Sequence, residues 1–376
     1  MADRLTAAER ISTFGPADSN VADAAALLNR ASTGAATEQF REFWKYTPTA
    51  AFIDGLKTCP VSKPEVTGLN QPGIHLGKLS DLGAGLQDAQ DQTSAERFPL
   101  ADLALLLTGD LLVIDVAETP AEPIRIDYTE GLSTPVLLRL AAGVQAHLIE
   151  QARVDGFLNH SLYVHIGADA TLEHAFAATT AEHSHWAMTQ VRQAARSTYR
   201  RQQYLTGANR RRSETQILLN EPEASAEITG AYVVEGGTHL DQQLILEHRS
   251  SDTRSRQRFH GIGAGKGSAV FNGRIHIHPG APRSDAALSN RNLSLHSEAV
   301  INTKPELEIY TDDVRCAHGA TVGQISEDSL FYLRSRGLSP ADAKRMLCRA
   351  FIKECIEGAL AEPAERALLG DWTHTA

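Results

Sequence analysis

Cys316 and His318 stand two positions apart in the segment from Asp312 to Phe351, DDVRCAHGATVGQISEDSLFYLRSRGLSPADAKRMLCRAF, and by type and spacing they are the residues best suited to chemistry. On a strand, side chains two positions apart share a face, so with Val314 the pair forms a short column. A thiolate suits iron or zinc and imidazole is a borderline ligand for either, so the two can grip one soft metal ion together. Iron-sulfur clusters usually take four protein ligands, mostly thiolates, so the pair is only half of a site. For an isolated pair the plain alternative is a small core thiol beside a hydrogen-bonded strand histidine.

Other groups are weaker candidates. His183 with His185, and His276 with His278, repeat the same spacing, yet neither pair has an accompanying thiol or a clear carboxylate cluster, which favours solvated or structural imidazoles. His278 precedes Pro279-Gly280 at a strand end and is the first of these to test. The run HGIGAGKGSAVFNG, His260 to Gly273, departs from a phosphate loop where Gly267 and a β-like stretch follow Lys266, in place of Ser or Thr and a helix. It reads as a glycine turn between strands, and the chain is expected to have no ATP site of its own. Arg192, Arg196, Arg200, Arg201, Arg210, Arg211 and Arg212, interleaved with Tyr199 and Tyr204, read as a solvated rim or an acidic-partner contact.

Composition narrows the classes. The 376 residues, 42% of them hydrophobic, can bury a sizeable core in one large or two to three smaller domains. A formal net charge of -10 disfavours nucleic acid, which needs a concentrated positive surface. The longest apolar stretch, Leu103 to Val116, is interrupted by Thr108, Gly109, Asp110 and Asp115, so no membrane span is expected. The opening MADRLTAAERISTFGPADS has no apolar signal region, which predicts a cytoplasmic protein, or a stromal one after import. Cys59, Cys316, Cys348 and Cys355 include no Cys-x-x-Cys pair and fit neither a disulfide framework nor a self-contained zinc site, so reduced thiols are expected.

The positioning elements follow from periodicity. Residues 19 to 46 read as two short helices, with stripes Val21, Ala25, Leu28, Ala31 and then Phe40, Phe43, Trp44, ended by Pro48. Thr58 to Arg97 reads as irregular. From about Leu100 to Val322 short alternating runs such as Leu162, Val164, Ile166 and Leu240, Leu244, Leu246 indicate strands, and an Ala-x-aliphatic step recurs at Ala146, Ala170, Ala226 and Ala299. Residues alone leave a sandwich, a barrel and a solenoid open, with small residues beside aliphatics tilting toward the solenoid. Helices return after Ser326, a cap, with Gly337 at a left-handed stop and Ser339-Pro340-Ala341-Asp342 opening the next. That last helix is expected to bury Ala343, Met346, Leu347, Ala350, Phe351 and Cys355, with Cys348 also in the core. Tyr332, Arg334, Arg336, Lys344 and Arg345 are then left to form a docking surface.

The run Cys-x-His-Gly-Ala-Thr-Val-Gly followed by Leu-Phe-Tyr-Leu-Arg-Ser-Arg-Gly resembles the C-terminal signature of the SufD branch of the SufB/SufD family, subunits of the SUF machinery for iron-sulfur cluster assembly; REFWKYTP, Arg41 to Pro48, is a second, weaker likeness. The resemblance implies a mainly β protein, a right-handed parallel β-helix flanked by helical parts. Residues 1–99 would be a helical and irregular domain, 100–323 the β-helix core, and 324–376 a helical domain for ATPase docking. It implies a non-catalytic scaffold that pairs with SufB and SufC homologues, SufC supplying ATP hydrolysis. Cys316 and His318 would face SufB, where a partner cysteine completes a place for iron or a nascent cluster. No cofactor is then held by the chain alone, and reduced flavin in the complex stays open. Two alternatives remain: a homodimeric metal-binding or chaperone protein that uses the pair twice across a two-fold axis, and a β-helix carbohydrate enzyme, for which Asp312-Asp313 is the only adjacent acidic pair near the site.

Overall fold

The computed structural model describes residues 44–47, 52, 55–56, 58–78, 99–153, 156–180 and 184–369. Twenty strands dominate them. The chain enters through β1 (Val61–Ser62), β2 (Glu65–Thr67) and β3 (Ile74–Lys78), then helix α1 (Pro99–Thr108). Next come β4 (Leu112–Val116), β5 (Ile124–Tyr128), β6 (Gly131–Ser133), β7 (Val136–Leu140), β8 (Gln145–Ala152), β9 (Leu158–Ile166), β10 (Thr171–Ala178), β11 (Ser184–Gln193) and β12 (Thr198–Thr206). The series closes with β13 (Arg210–Leu219), β14 (Ser225–Val234), β15 (His239–His248), β16 (Arg254–Gly263), β17 (Ser268–Ile277), β18 (Ser284–Ser294), β19 (Val300–Ile309) and β20 (Val314–Gly323).

From β7 onward successive strands alternate between two sheets, and from β9 onward each pairs in parallel with the strand two before it. The result is the expected mainly β solenoid, of about 7 turns. One sheet ends on β19 and the other on β20, while β3 on β4 and β2 on β5 close the beginning antiparallel. Side chains that alternate inward from both sheets form one core, including Leu162, Val164, Leu172, Ile228, Leu244, Leu246, Phe271 and Leu288. Bulk is matched between neighbouring coils. Phe259 lies beside Gly230 and Tyr232 beside Gly261, and a Cβ on either glycine would sit within 2.4 Å of the opposing ring. At burial of this kind, each large side chain contributes about 1.5–3 kcal/mol.

One corner of the coil repeats a backbone conformation that sequence periodicity does not display. Asp169, Arg196, Glu223, Asp252 and Arg283 all have φ between 54 and 61°, in the left-handed region. The N–H of Asp169 reaches the carbonyl of Ala195 in the next coil, and those of Arg196 and Asp252 reach Pro222 and Pro282 likewise. Arg196 and Asp169 (2.7 Å), and Arg283 and Asp252 (2.5 Å), then join adjacent corners by exposed ion pairs.

Several expectations are corrected here. Of the N-terminal helices read over residues 19–46, only Trp44 to Tyr46 lies within the described residues, as turn and bend; the remainder is outside them. The segment after Thr58 is less irregular than its composition suggests, since β1–β3 each join a sheet. Strand structure does not start at Leu100: α1 occupies Pro99–Thr108. The arginine run is not a solvated rim throughout, because Arg201, Arg211 and Arg212 are fully buried. Buried guanidiniums demand paired partners, and part of these come from other coils, as Asp241 does for Arg212 and His174 for Arg201, where sequence cannot display them.

Arg212 anchors the N-terminal strap. The Trp44 ring covers its guanidinium at 3.9 Å, while Arg212 donates to Glu214 at 2.6 Å and also to Asp241. Thr47 donates to Asp241 at 2.5 Å and lies 2.8 Å from the His239 ring. Trp44 joins Phe52, Leu56, Trp186, Met188 and Ile245 in an apolar cluster on the outside of the first sheet. The motif around Trp44 to Thr47 is therefore a clamp.

At the other terminus, α2 (Glu327–Ser335) is capped by Ser326 and α3 (Pro340–Lys353) by Ser339, and Gly337 has φ 95°, all as expected. With α4 (Ala361–Leu369), they cover the outside of the second sheet through Cys348, Ile352, Cys355, Leu360 and Leu368 against Ala177, Tyr204, Val233 and Ile262. The buried stripe of α3 is rotated from the expected one: Ala343, Cys348 and Ile352 are buried, while Met346 is 50% exposed. Among the described residues no helix is long and apolar enough to cross a membrane.

Burial pushes the Glu214 carboxyl up to about 7, against the opposing pull of Arg212 and with a further push from Asp241. A carboxyl with a raised folded pKa holds its proton more tightly when folded. The stability it contributes is full below its ordinary value of 4.5 and is lost as pH rises through about 7. Glu214→Gln removes this titration, so the variant is expected to lose less stability than the parent between about pH 5 and 8. Urea melts at both values check it, and equal losses refute it.

Candidate metal centre and docking surfaces

Cys316 and His318 sit on β20, the last strand of the second sheet. In register, Cys316 lies beside Ala286 and His318 beside Leu288, both core residues, so the pair continues two inward-facing columns into the final coil. Cys316 is half-buried against the core, whereas His318, on the last described strand of its sheet, is exposed. Burial, then the Asp285 carboxylate, push the Cys316 thiol above its ordinary value. Asp285 itself is paired with Arg256 at 2.7 Å. Among the described residues no third histidine, cysteine or carboxylate completes a cluster with Cys316 and His318.

The end of the solenoid around them exposes several apolar side chains. Val300, Ile309 and Val322 are 49%, 42% and 48% exposed, and Tyr310 in the adjoining turn 60%. Among the described residues no further strand pairs with the β19 and β20 edges. Such edges are templates for pairing with another chain.

A second feature is the surface of α2 and α3. Tyr332, Arg334, Arg336 and Arg345 are exposed and Lys344 half-buried. Arg336 lies over the Tyr332 ring and Arg345 pairs with Asp342. Asp328, Ser329, Tyr332, Leu333, Met346, Leu347 and Ala350 line a shallow groove there. Phe331, 74% exposed, was not among the residues singled out by sequence.

The remaining histidines divide. His183 lies outside the described residues. His185 is buried inside the solenoid, 3.0 Å from His160 and accepting from Arg211 at 3.2 Å. His174 bridges Glu150 (2.8 Å) and Tyr199 (2.9 Å), and Tyr128 donates to Glu150. Burial drives His160 and His174 down to about 4, so both are neutral near pH 7. Burial works to raise Glu150, but His174, His160 and Arg201 outweigh it and hold the carboxyl at about 2. This sealed network is structural. His276 and His278, by contrast, lie close to Glu247, a carboxylate from the preceding coil that local sequence could not reveal.

Residues 125–351 match the family described as SUF system FeS cluster assembly, SufBD core domain. The chain belongs to this SufBD family. The iron-sulfur cluster assembly protein SufD of Escherichia coli is 29% identical over 90% of this chain and 88% of its own. A SufBD family protein of Synechocystis is 28% identical over 66% of this chain and 55% of its own, and the chloroplastic protein ABCI7 of Arabidopsis thaliana 29% over 81% and 68%. Membership in the SufBD family assigns the chain to iron-sulfur cluster assembly by the SUF system.

Cys59, Cys348 and Cys355 are buried, with thiols pushed up by burial to about 11, 12 and 11, and Cys316 alone is partly accessible. A disulfide probe on the reduced native chain is expected to label Cys316 first, faster as pH rises toward its raised pKa, because the thiolate is the reactive form. Cys316→Ser should abolish this phase, and its persistence would refute the assignment.

Proposed function

We propose that this SufBD chain is a non-catalytic assembly subunit that works with SufB and SufC homologues, and that Cys316 and His318 complete a metal site only when a SufB homologue covers the end of the solenoid. The supporting observation is the coincidence of two soft ligands with two unpaired strand edges in one coil. A partner strand added to β19 or β20 satisfies backbone groups and brings its own side chains up to the inward columns. The exposed apolar residues beside them supply burial for such a contact. His318, open to solvent, receives iron first, and Cys316, whose thiol holds its proton, releases it as the metal arrives, since the thiolate is the ligand. Iron and the nascent cluster are cargo in this reading.

A SufC homologue docks on α2 and α3, where Phe331, Tyr332 and Met346 offer apolar anchors amid Arg334, Arg336, Lys344 and Arg345. ATP hydrolysis belongs to that partner, and movement transmitted through these helices shifts the two solenoid ends relative to each other, exposing the site to iron or sulfur. A second copy of this chain could pair by the same edges, placing two Cys-His pairs across a two-fold axis; the test below separates it.

Two measurements check the reading. In the reconstituted three-subunit complex, His318→Ala is expected to cut cluster formation about tenfold or more, equivalent to about 1.4 kcal/mol, with assembly intact; unimpaired formation refutes the metal role, and full activity of the chain without SufB refutes the partnership. Phe331→Glu with Met346→Glu is expected to weaken SufC binding by about 2 kcal/mol or more, as loss of a central anchor does, while SufB pairing persists. Unchanged SufC affinity refutes the docking surface. Point variants are preferred to truncation, because removing α3 and α4 would bare the apolar outer face formed by Ala177, Val233 and Ile262.

A further inference from the structure

We propose that Glu247, His276 and His278 form a second site, on the outer face of the first sheet, that binds one divalent first-row transition-metal cation. Glu247, next to last in β15, lies beside His276 of β17 in register, and His278 follows two residues later on the same face. One carboxylate oxygen and one nitrogen from each ring lie within 4.8 Å of one another. Two imidazoles and a carboxylate are a donor set that holds Zn(II) or Fe(II) and leaves positions open for water or substrate. All three donors belong to this chain, so the inference does not rest on the partnership proposed above.

The surroundings support the three ligands. Glu247 is only 7% exposed, and Gln216 donates to its Oε1 at 2.8 Å, orienting the carboxylate so that Oε2 lies 3.3 Å from His278 Nε2. Glu308, beside His276 in the next coil, brings an oxygen to 3.7 Å from His276 Nδ1, a carboxylate at the edge of the three-residue cluster. Burial, then His278, hold the His276 pKa below its ordinary value, which keeps the ring in the neutral form that ligates metal. The two rings are stacked at 3.9 Å with 12° between their planes. Parallel rings cannot aim both lone pairs at one ion, so binding turns them until their nitrogens approach roughly 3.4 Å apart, the spacing set by tetrahedral bonds of about 2.1 Å.

Competition is built into the same cluster. Arg249 donates to Glu247 Oε2 at 3.0 and 2.6 Å, and Arg274 donates to Glu308 at 2.6 Å. The arriving cation must displace Arg249, whose side chain is 34% exposed and can turn into water. Removing that guanidinium should therefore tighten metal binding, an effect that a merely structural ion-pair cluster would not show.

The full chain is titrated anaerobically with Co(II), in a Cys316→Ala, His318→Ala background that silences the other pair. One equivalent is expected to bind with d–d absorption and no thiolate-to-metal charge transfer. Glu247→Gln and His278→Gln, each checked for an unchanged melting curve, are expected to weaken Kd tenfold or more, and Arg249→Gln to tighten it threefold or more. Unchanged affinity in Glu247→Gln and His278→Gln, or a sulfur charge-transfer band on the bound ion, overturns the site. If either variant fails to fold, the Arg249→Gln result decides: unchanged or weaker binding there also overturns it.

Discussion

Each coil of the solenoid takes its backbone hydrogen bonds from the coils on either side, with strands of one sheet stacked in parallel register from β7 to β19 and of the other from β5 to β20. That dependence makes the two ends unlike the middle. At the beginning, β2 and β3 run antiparallel to their neighbours and close the stack. At the far end the described residues add no strand beyond β19 and β20, and the inward columns continue into that last coil. Cys316 and His318 occupy positions that the preceding coils fill with buried side chains, Ala286, Ser255 and Ala226 in one column and Leu288, Gln257 and Ile228 in the other. Their accessibility follows from being last.

The same stacking explains which charges can be buried. A guanidinium inside the sheet region must find anions within reach, and the neighbouring coil is the closest source. Arg212 finds Glu214 on its own strand and Asp241 one coil later, and Arg201 lies in a network with His174, Tyr199 and Gln203. Both faces of many strands are thus buried, inward by the core and outward by the strap or the C-terminal helices. Strand β15 is buried at all ten positions.

That double burial limited what could be read from residues. Alternation such as Leu162, Val164, Ile166 marks strands because the outward positions between them are polar or aromatic, but Asp241, Gln243 and Glu247 alternate with leucines while being buried themselves. The recurring alanine step was real in part: Ala146 and Ala226 occupy one inward column, through Leu172 and Tyr199. Its irregular interval reflects coils of unequal length, since corner partners are 27 residues apart at Asp169 and Arg196 and 31 at Asp252 and Arg283. Helix caps around Ser326, Gly337 and Ser339 were legible because capping is local. That Cys316 and His318 share one face of one strand was legible for the same reason. Glu247 with His276, and Trp44 with Arg212, were not, because such contacts join residues a coil or more apart.

The clamp at Thr47 reaches His239 and Asp241 across 192 and 194 residues of chain. Ribosomes add about 5–20 residues per second, so on the order of 10–40 s separates synthesis of the two halves of this contact. Coils can stack on one another as they emerge, whereas Trp44 has no seat until β13 and β15 exist. The earliest-made anchor is thus among the later ones to engage, and until it does the apolar outer surface at Trp186 and Met188 stands bare, a window in which a chaperone or a premature neighbour would have its best access.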